Sequence, residues 1–76
     1  MRLICKLEGT TGVYDDGGDY WITQLPDGDD KISKERWPMY PLAACLKWGA
    51  EPIDIPYLNA LSDGGLDGVR KFLSDT

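Results

Sequence analysis

Two turn motifs rich in Asp and Gly, DDGG at 15–18 and PDGD at 26–29, stand on either side of the segment DYWITQL at 19–25. Asp-Gly and Gly-Gly tolerate the positive φ values of tight turns, and Pro presets φ for a turn position. The seven residues between the motifs are rich in β-branched and aromatic side chains, which favour a strand. Because connections this short join antiparallel neighbours, the first half of the chain is predicted to be an antiparallel meander.

Other segments of the first half extend this meander. RLICKL at 2–7 alternates in polarity, which predicts a half-buried strand with Leu3, Cys5 and Leu7 on one face and Ile4 on the other. GVY at 12–14 is short and extended, and DKIS at 30–33 is a candidate fourth strand. The meander therefore has three to four short strands.

Prolines and glycines punctuate the second half as helix starts and stops. PLAACLKW (41–48) and PYLNALS (56–62) each begin with Pro, which suits the first turn of a helix, and Gly49 suits a helix end. LDGVRKFLS (66–74) is the third candidate, and AEPIDIP is a connector. The predicted core-facing residues are Leu42, Cys45, Leu46, Leu58, Leu61, Leu66, Val69, Phe72 and Leu73.

Strands followed by helices indicate an α+β fold. We expect one small domain spanning residues 1–76, with two to three C-terminal helices packed on one face of the meander. The chain has no apolar run long enough to span a membrane and no secretory h-region, so we expect a cytoplasmic protein. Cys5 and Cys45 are then expected to be reduced thiols of the core, not a disulfide.

The net charge of −5 is unevenly distributed. Residues 8–30 contain seven acids and no Lys or Arg, whereas acids and bases balance from residue 31 onwards. A negative field of this kind opposes binding to nucleic acid and to anionic membranes, and it speeds the encounter with a basic partner.

Residues 27–37, DGDDKISKERW, partly resemble the second half of an EF-hand calcium loop. The alignment places Asp27, Asp29 and Ser33 at ligand positions. It also places Leu25 at the first ligand position and Arg36 where the loop needs a bidentate Glu. We therefore expect no calcium site, and we interpret the segment as a solvated acidic hairpin loop.

Catalytic and cofactor sites are not expected either. The chain has no His, and its two cysteines cannot supply the four ligands of a structural zinc site. Asp15, Asp16 and Asp19 lie in a glycine-rich turn, where water is expected to screen them and to prevent the raised pKa of a catalytic acid. No Ser or Cys stands beside a base that would activate it. The sequence thus predicts no enzyme, no metal and no cofactor.

Aromatic residues are numerous for so short a chain. In the strand at 19–25, Tyr20 and Ile22 fall on one face, and Trp21 and Leu25 fall on the other. If helices cover one face, one of these pairs stays near solvent. An exposed aromatic beside acidic turns is typical of a protein-binding surface, although the same side chains could simply fill the core.

The sequence therefore favours a small acidic binding module, an inhibitor or adaptor that docks on a basic surface of a larger protein. That partner could be a nucleic-acid-binding protein, and the module could be of the phage or mobile-element type. The module itself is expected to be a monomer or weak homo-oligomer, with no direct contact with nucleic acid or membrane. The alternative is a structural or assembly subunit of a larger complex. The predicted partner-binding residues are Asp15, Asp16, Asp19, Tyr20, Trp21, Asp27, Asp29, Asp30 and Trp37.

Overall fold

The structure, a computed structural model, describes residues 1–75 and contains five strands and two helices within that range. The strands are β1 (Arg2–Lys6), β2 (Gly12–Asp15), β3 (Tyr20–Leu25), β4 (Gly28–Ser33) and β5 (Glu51–Pro52), and the helices are α1 (Tyr40–Lys47) and α2 (Ile55–Ser74). The predicted α+β class, with a meander followed by helices, is confirmed. The segment predicted to be a connector contains the short strand β5, which forms because Glu51 and Pro52 pair with Lys6 and Cys5 of β1.

The strands form one sheet in the order β4-β3-β2-β1-β5, and every neighbouring pair is antiparallel. β3 and β4 are joined by a two-residue turn at Pro26 and Asp27, since Leu25 pairs with Gly28. β4 is longer than the predicted DKIS segment because it begins at Gly28. It is also an edge strand, whereas β3 and β2 lie inside the sheet.

A register shift in β1 changes the face on which one side chain lies. Leu3 pairs with Tyr14 and Cys5 with Val13, so Ile4 is an extra residue between two consecutive pairs. Such a bulge breaks the strict alternation of a strand. Ile4 and Cys5 are consequently both buried in the core, and the prediction that they lie on opposite faces is wrong. The Ile4 carbonyl accepts the backbone N–H groups of Ile53 and Asp54, which anchors the approach to α2.

The helices begin close to the predicted positions. α1 begins at Tyr40 and α2 at Ile55, each with Pro in its first turn. Asp54 caps α2 by accepting the backbone N–H of Tyr57, and it also pairs with Arg2 of β1. The predicted break between two C-terminal helices appears as a kink at Gly65, whose φ of 59° and ψ of −140° are not helical.

The core lies between the helices and one face of the sheet. Strand residues Ile4, Cys5, Val13 and Trp21 meet helix residues that include Tyr40, Ala44, Tyr57, Leu58, Leu61 and Val69. Of the core-facing residues predicted for α2, Leu58, Leu61 and Val69 are buried, and Leu66, Phe72 and Leu73 are partly buried against the core. In α1, however, Leu46 is 78% exposed, because the buried side of this short helix is formed by Tyr40, Pro41 and Ala44. None of the helices in residues 1–75 has the length and apolarity to cross a membrane.

Candidate partner-binding surface

Asp15, a predicted partner-binding residue, is only 3% exposed. It ends β2 on the face that the helices cover, where its carboxylate accepts three hydrogen bonds. The donors are the Gly17 backbone N–H at 2.8 Å, the Lys34 amine at 2.7 Å and the Tyr57 hydroxyl at 3.0 Å. The expectation that water screens Asp15 is therefore wrong, and this carboxylate cannot meet a partner directly.

Trp21 belongs to the same buried network. It is fully buried, and its indole N–H donates to the Tyr57 hydroxyl at 2.8 Å. Its ring also packs against Tyr40, with the ring centroids 6.1 Å apart. Trp21 is thus a core residue, and its predicted role as a surface anchor is wrong. The reason is that the helices cover the face of β3 that carries Trp21 and Thr23.

Tyr57 and Lys34 complete this network, although neither is among the predicted partner-binding residues. Burial, followed by the neighbouring Asp15 charge and the bond to it, raises the pKa of Tyr57, while the Trp21 N–H acts against that rise. The Lys34 amine donates to both Asp15 and the Gly18 carbonyl. No sequence signal links these residues, because Tyr57 follows Asp15 by 42 positions.

A shallow cavity of about 210 Å³ lies above this network, between the β2–β3 turn and the second half of α2. Asp15 and Lys34 line it together with Leu66 and Arg70. The carboxylate of Asp15 and the amine of Lys34 already bond each other, so they offer a small molecule little free hydrogen-bonding capacity. The cavity is therefore a weaker candidate site than the charged exterior.

The remaining predicted acids are all exposed and follow the β3–β4 hairpin. We define the acidic hairpin surface as Asp16 and Asp19 at the base of the hairpin, Asp27 in its turn, and Asp29 and Asp30 in the first half of β4. Within residues 1–75, none of these five carboxylates forms a salt bridge. Their charge is thus available to a partner.

Two predicted aromatic residues flank the base of the hairpin. Tyr20 is 42% exposed and Trp37 is 55% exposed. Tyr20 pairs with Ser33 across the hairpin, and the Trp37 backbone N–H donates to the Ser33 carbonyl at 2.9 Å. Both residues therefore lie close to the same end of β4. Lys31 approaches the Tyr20 ring from above, with its amine 6.0 Å from the ring centroid.

The other face of the sheet, which the helices do not cover, is partly closed by its own side chains. Ile22 lies on this face and is only 5% exposed, between its cross-strand neighbours Tyr14 and Lys31. Of the predicted pair Tyr20 and Ile22, only Tyr20 thus remains accessible. A third exposed aromatic, which is not among the predicted partner-binding residues, is Trp48; it is 53% exposed and packs on Tyr40.

The placement of the acids also bears on metal binding. Asp29 and Asp30 are consecutive residues of β4, and consecutive side chains of a strand project to opposite faces. In the described part of the chain, no three His, Cys, Asp or Glu side chains are arranged to hold a metal ion.

The two cysteines are free thiols on neighbouring elements. The Cys5 sulfur lies 4.0 Å from the Pro41 carbonyl of α1, one helical turn before Cys45. Burial, and then the proximity of Cys45, raise the pKa of Cys5 to about 12. Burial also raises the pKa of Cys45, against a lowering contribution from its hydrogen bond with Cys5. Neither thiol is thus disposed to ionise at neutral pH.

Comparison with known proteins finds no relative of this chain. No family model, curated protein or solved structure matches the chain. Its function has to be argued from its own geometry and charge.

Proposed function

We propose that the protein is a small binding module that docks through its acidic hairpin surface on a basic surface of a larger protein, as an inhibitor or adaptor. One observation carries the proposal: five exposed carboxylates surround a single hairpin, and no cation of residues 1–75 pairs with them. Unpaired charge of one sign steers a partner of opposite sign and orients its approach.

Tyr20 and Trp37 supply the apolar part of the contact. Aromatic side chains bury much area at little cost in conformational entropy, and they dominate the energetics of many interfaces. Both lie at the base of the hairpin next to Asp19, so one partner could cover aromatic and acidic groups together. Asp15 and Trp21 support this surface from beneath without touching the partner.

The charge pattern does not favour imitation of a nucleic-acid backbone. The acids do not form an evenly spaced row, because the nearest acid of β4 to the base of the hairpin is Asp30. It lies opposite Thr23, four residues beyond Asp19 and about 13 Å from it at the rise of a strand. Lys31, the next residue of β4, places a positive charge between Asp30 and the base of the hairpin. A basic protein surface with two separate positive regions fits this pattern better than a groove that follows a continuous row of phosphates.

The experiment begins with affinity purification from the native host and identification of partners by mass. The dissociation constant is then measured for a variant with Asp27→Asn, Asp29→Asn and Asp30→Asn. We expect affinity to fall at least about ten-fold. For the unaltered protein, affinity should also fall between about 50 and 300 mM salt, since salt screens exposed charges beyond a Debye length of about 10 Å or less.

The control carries Glu51→Gln, Asp63→Asn and Asp67→Asn, which remove the same charge from exposed positions outside the hairpin. We expect its affinity to change by less than about three-fold. Equal losses in the two triple variants would mean that net charge alone matters. An unchanged affinity in the hairpin variant would refute docking at this surface.

A second candidate is a structural subunit, and a different observation favours it. Four large apolar side chains in and around α1 are 37–78% exposed, namely Trp37, Met39, Leu46 and Trp48. Exposed apolar groups of this size are common at permanent interfaces. This function predicts self-association that persists in high salt and is weakened by Leu46→Ser, whereas the docking module should sediment as a monomer.

A further inference from the structure

Strand β4 has an unpaired side. It lies at one end of the sheet and pairs with β3 along all six of its residues. Within residues 1–75, the only backbone–backbone hydrogen bond that β4 forms outside the sheet is the one from the Trp37 N–H to the Ser33 carbonyl. Because alternate backbone groups of an edge strand point away from the sheet, residues 28–32 present free N–H and C=O groups to another chain.

The opposite edge of the sheet lacks this property. β5 has two residues, Glu51 and Pro52, and Pro has no N–H to donate. An added strand would find few partners there. β4 is therefore the edge on which strand addition has enough length to be stable.

The side chains of β4 specify the charge of an added strand. Asp29 projects to the open face beside Gln24, and Asp30 projects to the helix-covered face beside Thr23. Opposite charges directly across two strands are stabilising, and like charges are destabilising. Asp29 and Asp30 are consecutive, so the matching segment carries two consecutive basic residues.

A second copy of this chain is a poor occupant of the edge. Two identical antiparallel strands related by a two-fold axis must place one residue opposite its own copy. Near the middle of β4 that residue is Asp29, Asp30 or Lys31, and each choice sets like charges face to face. Self-pairing is thus disfavoured by charge, while pairing with a basic segment is favoured.

We propose that β4 binds an extended segment of the partner by strand addition, with two consecutive Lys or Arg residues of that segment opposite Asp29 and Asp30. The inference rests on the proposed docking function and specifies its mode. Main-chain hydrogen bonds supply much of the affinity, and the two acids select the segment.

The test uses a synthetic peptide of about eight residues in which Thr and Val alternate around a central Lys-Arg pair. Two modified peptides carry N-methyl groups on every second residue. One is methylated at its odd-numbered residues and the other at its even-numbered residues. In an added strand, only alternate N–H groups point towards β4. Methylation therefore removes these hydrogen-bond donors in only one of the two peptides. Binding is measured by titration, and its position by the NMR amide shifts of Gly28–Ser33.

We expect one methylated peptide to bind like the parent and the other at least about ten-fold more weakly, with the shifts centred on β4. Equal affinity of the two methylated peptides would overturn strand addition, and so would a failure of the parent peptide to bind in low salt. Docking itself is judged separately, by the hairpin triple variant and the natural partner, so the two proposals can fail independently.

A charge exchange adds a second check. A variant with Asp29→Lys and Asp30→Lys should lose the basic peptide and bind a peptide with Glu-Glu at its centre. Both residues are exposed, so the fold should persist, as circular dichroism can verify. If the variant with Asp29→Lys and Asp30→Lys does not bind the Glu-Glu peptide, the proposed pairing opposite these two positions is refuted.

Discussion

At the scale of single residues, Asp15 and Asp16 are neighbours with different surroundings. Asp15 is buried and accepts bonds from Gly17, Lys34 and Tyr57, whereas Asp16 is exposed and accepts one from the Gly18 backbone N–H. A buried carboxylate whose charged partner is also largely buried is sensitive to any change, because the partner then keeps an uncompensated charge. Two adjacent acids thus have separate roles, one in stability and one on the surface.

Asp15→Asn should reduce the free energy of unfolding by about 2–3 kcal/mol. The substitution removes the charge that pairs with Lys34 and replaces one acceptor oxygen by a donor. Urea unfolding measures the effect. Asp16→Asn is the matched control and should change stability by less than about 0.5 kcal/mol. Equal effects of the two substitutions would contradict the assignment of Asp15 to the core.

At the scale of elements, the kink divides α2 into two halves that pack closely. Gly65 has a positive φ, which side chains rarely tolerate. Beyond the kink, a Cβ on Gly68 would lie 2.2 Å from the Ala60 carbonyl oxygen of the first half. The helix therefore tolerates Gly68, despite its low helix propensity, because a larger residue would push the two halves apart.

Two adjacent glycines allow the kink to be tested. Gly65→Ala should reduce the free energy of unfolding by about 1–2 kcal/mol because of its φ and ψ. Gly64→Ala places a methyl group in open space in a helical conformation, so it should raise stability by about 0.5–1 kcal/mol. Thermal or urea unfolding measures both. Stabilisation by both substitutions would show that the helix is continuous through Gly65.

Across the fold as a whole, the ionised acids lie mainly on the surface, and weakly acidic groups that stay neutral lie in the core. The exterior carries the exposed carboxylates, whereas the interior holds a thiol and a phenol in their neutral forms. The pKa of Cys5 rises from 9.0 to about 12, chiefly through burial. The pKa of Tyr57 also rises above its ordinary value of 10.0, for the same main reason. Below the ordinary pKa values, both groups are neutral in the folded and in the unfolded chain. At higher pH the unfolded chain ionises first, which stabilises it relative to the folded chain.

The protein should therefore lose stability as pH rises from about 9 towards 12. In this range the unfolded chain releases protons that the folded chain retains, so the native state binds more protons and the free energy of unfolding falls with pH. Each such group contributes at most about 1.4 kcal/mol per pH unit. Urea unfolding between pH 7 and pH 10.5 measures the slope.

Cys5→Ala is the control for this alkaline loss. It removes one of the groups whose pKa is raised in the folded chain, so its stability should fall less steeply with pH above about 9, even though its stability at neutral pH is also lower. Parallel curves for the variant and the unaltered protein would contradict the raised pKa of Cys5.

Local sequence determined the secondary structure with few errors. The Asp-Gly turns, the β-branched segment of β3 and the prolines at the helix starts each act through the φ and ψ preferences of a few adjacent residues. Those preferences hold whatever the rest of the chain does, and so the meander and the helix boundaries were predictable. The exposure of Asp16, Asp19, Asp27, Asp29 and Asp30 followed from the same turns and the hairpin.

Long-range packing determines which polar and aromatic residues are buried. Asp15 and Trp21 meet Tyr57 from 42 and 36 positions away, the bulge at Ile4 depends on β2, and β5 exists because β1 pairs with it. Such contacts depend on which face the helices cover, and no local preference encodes that choice. Local preferences thus define where the chain turns and where its acids lie along it, and packing defines which of those acids are accessible.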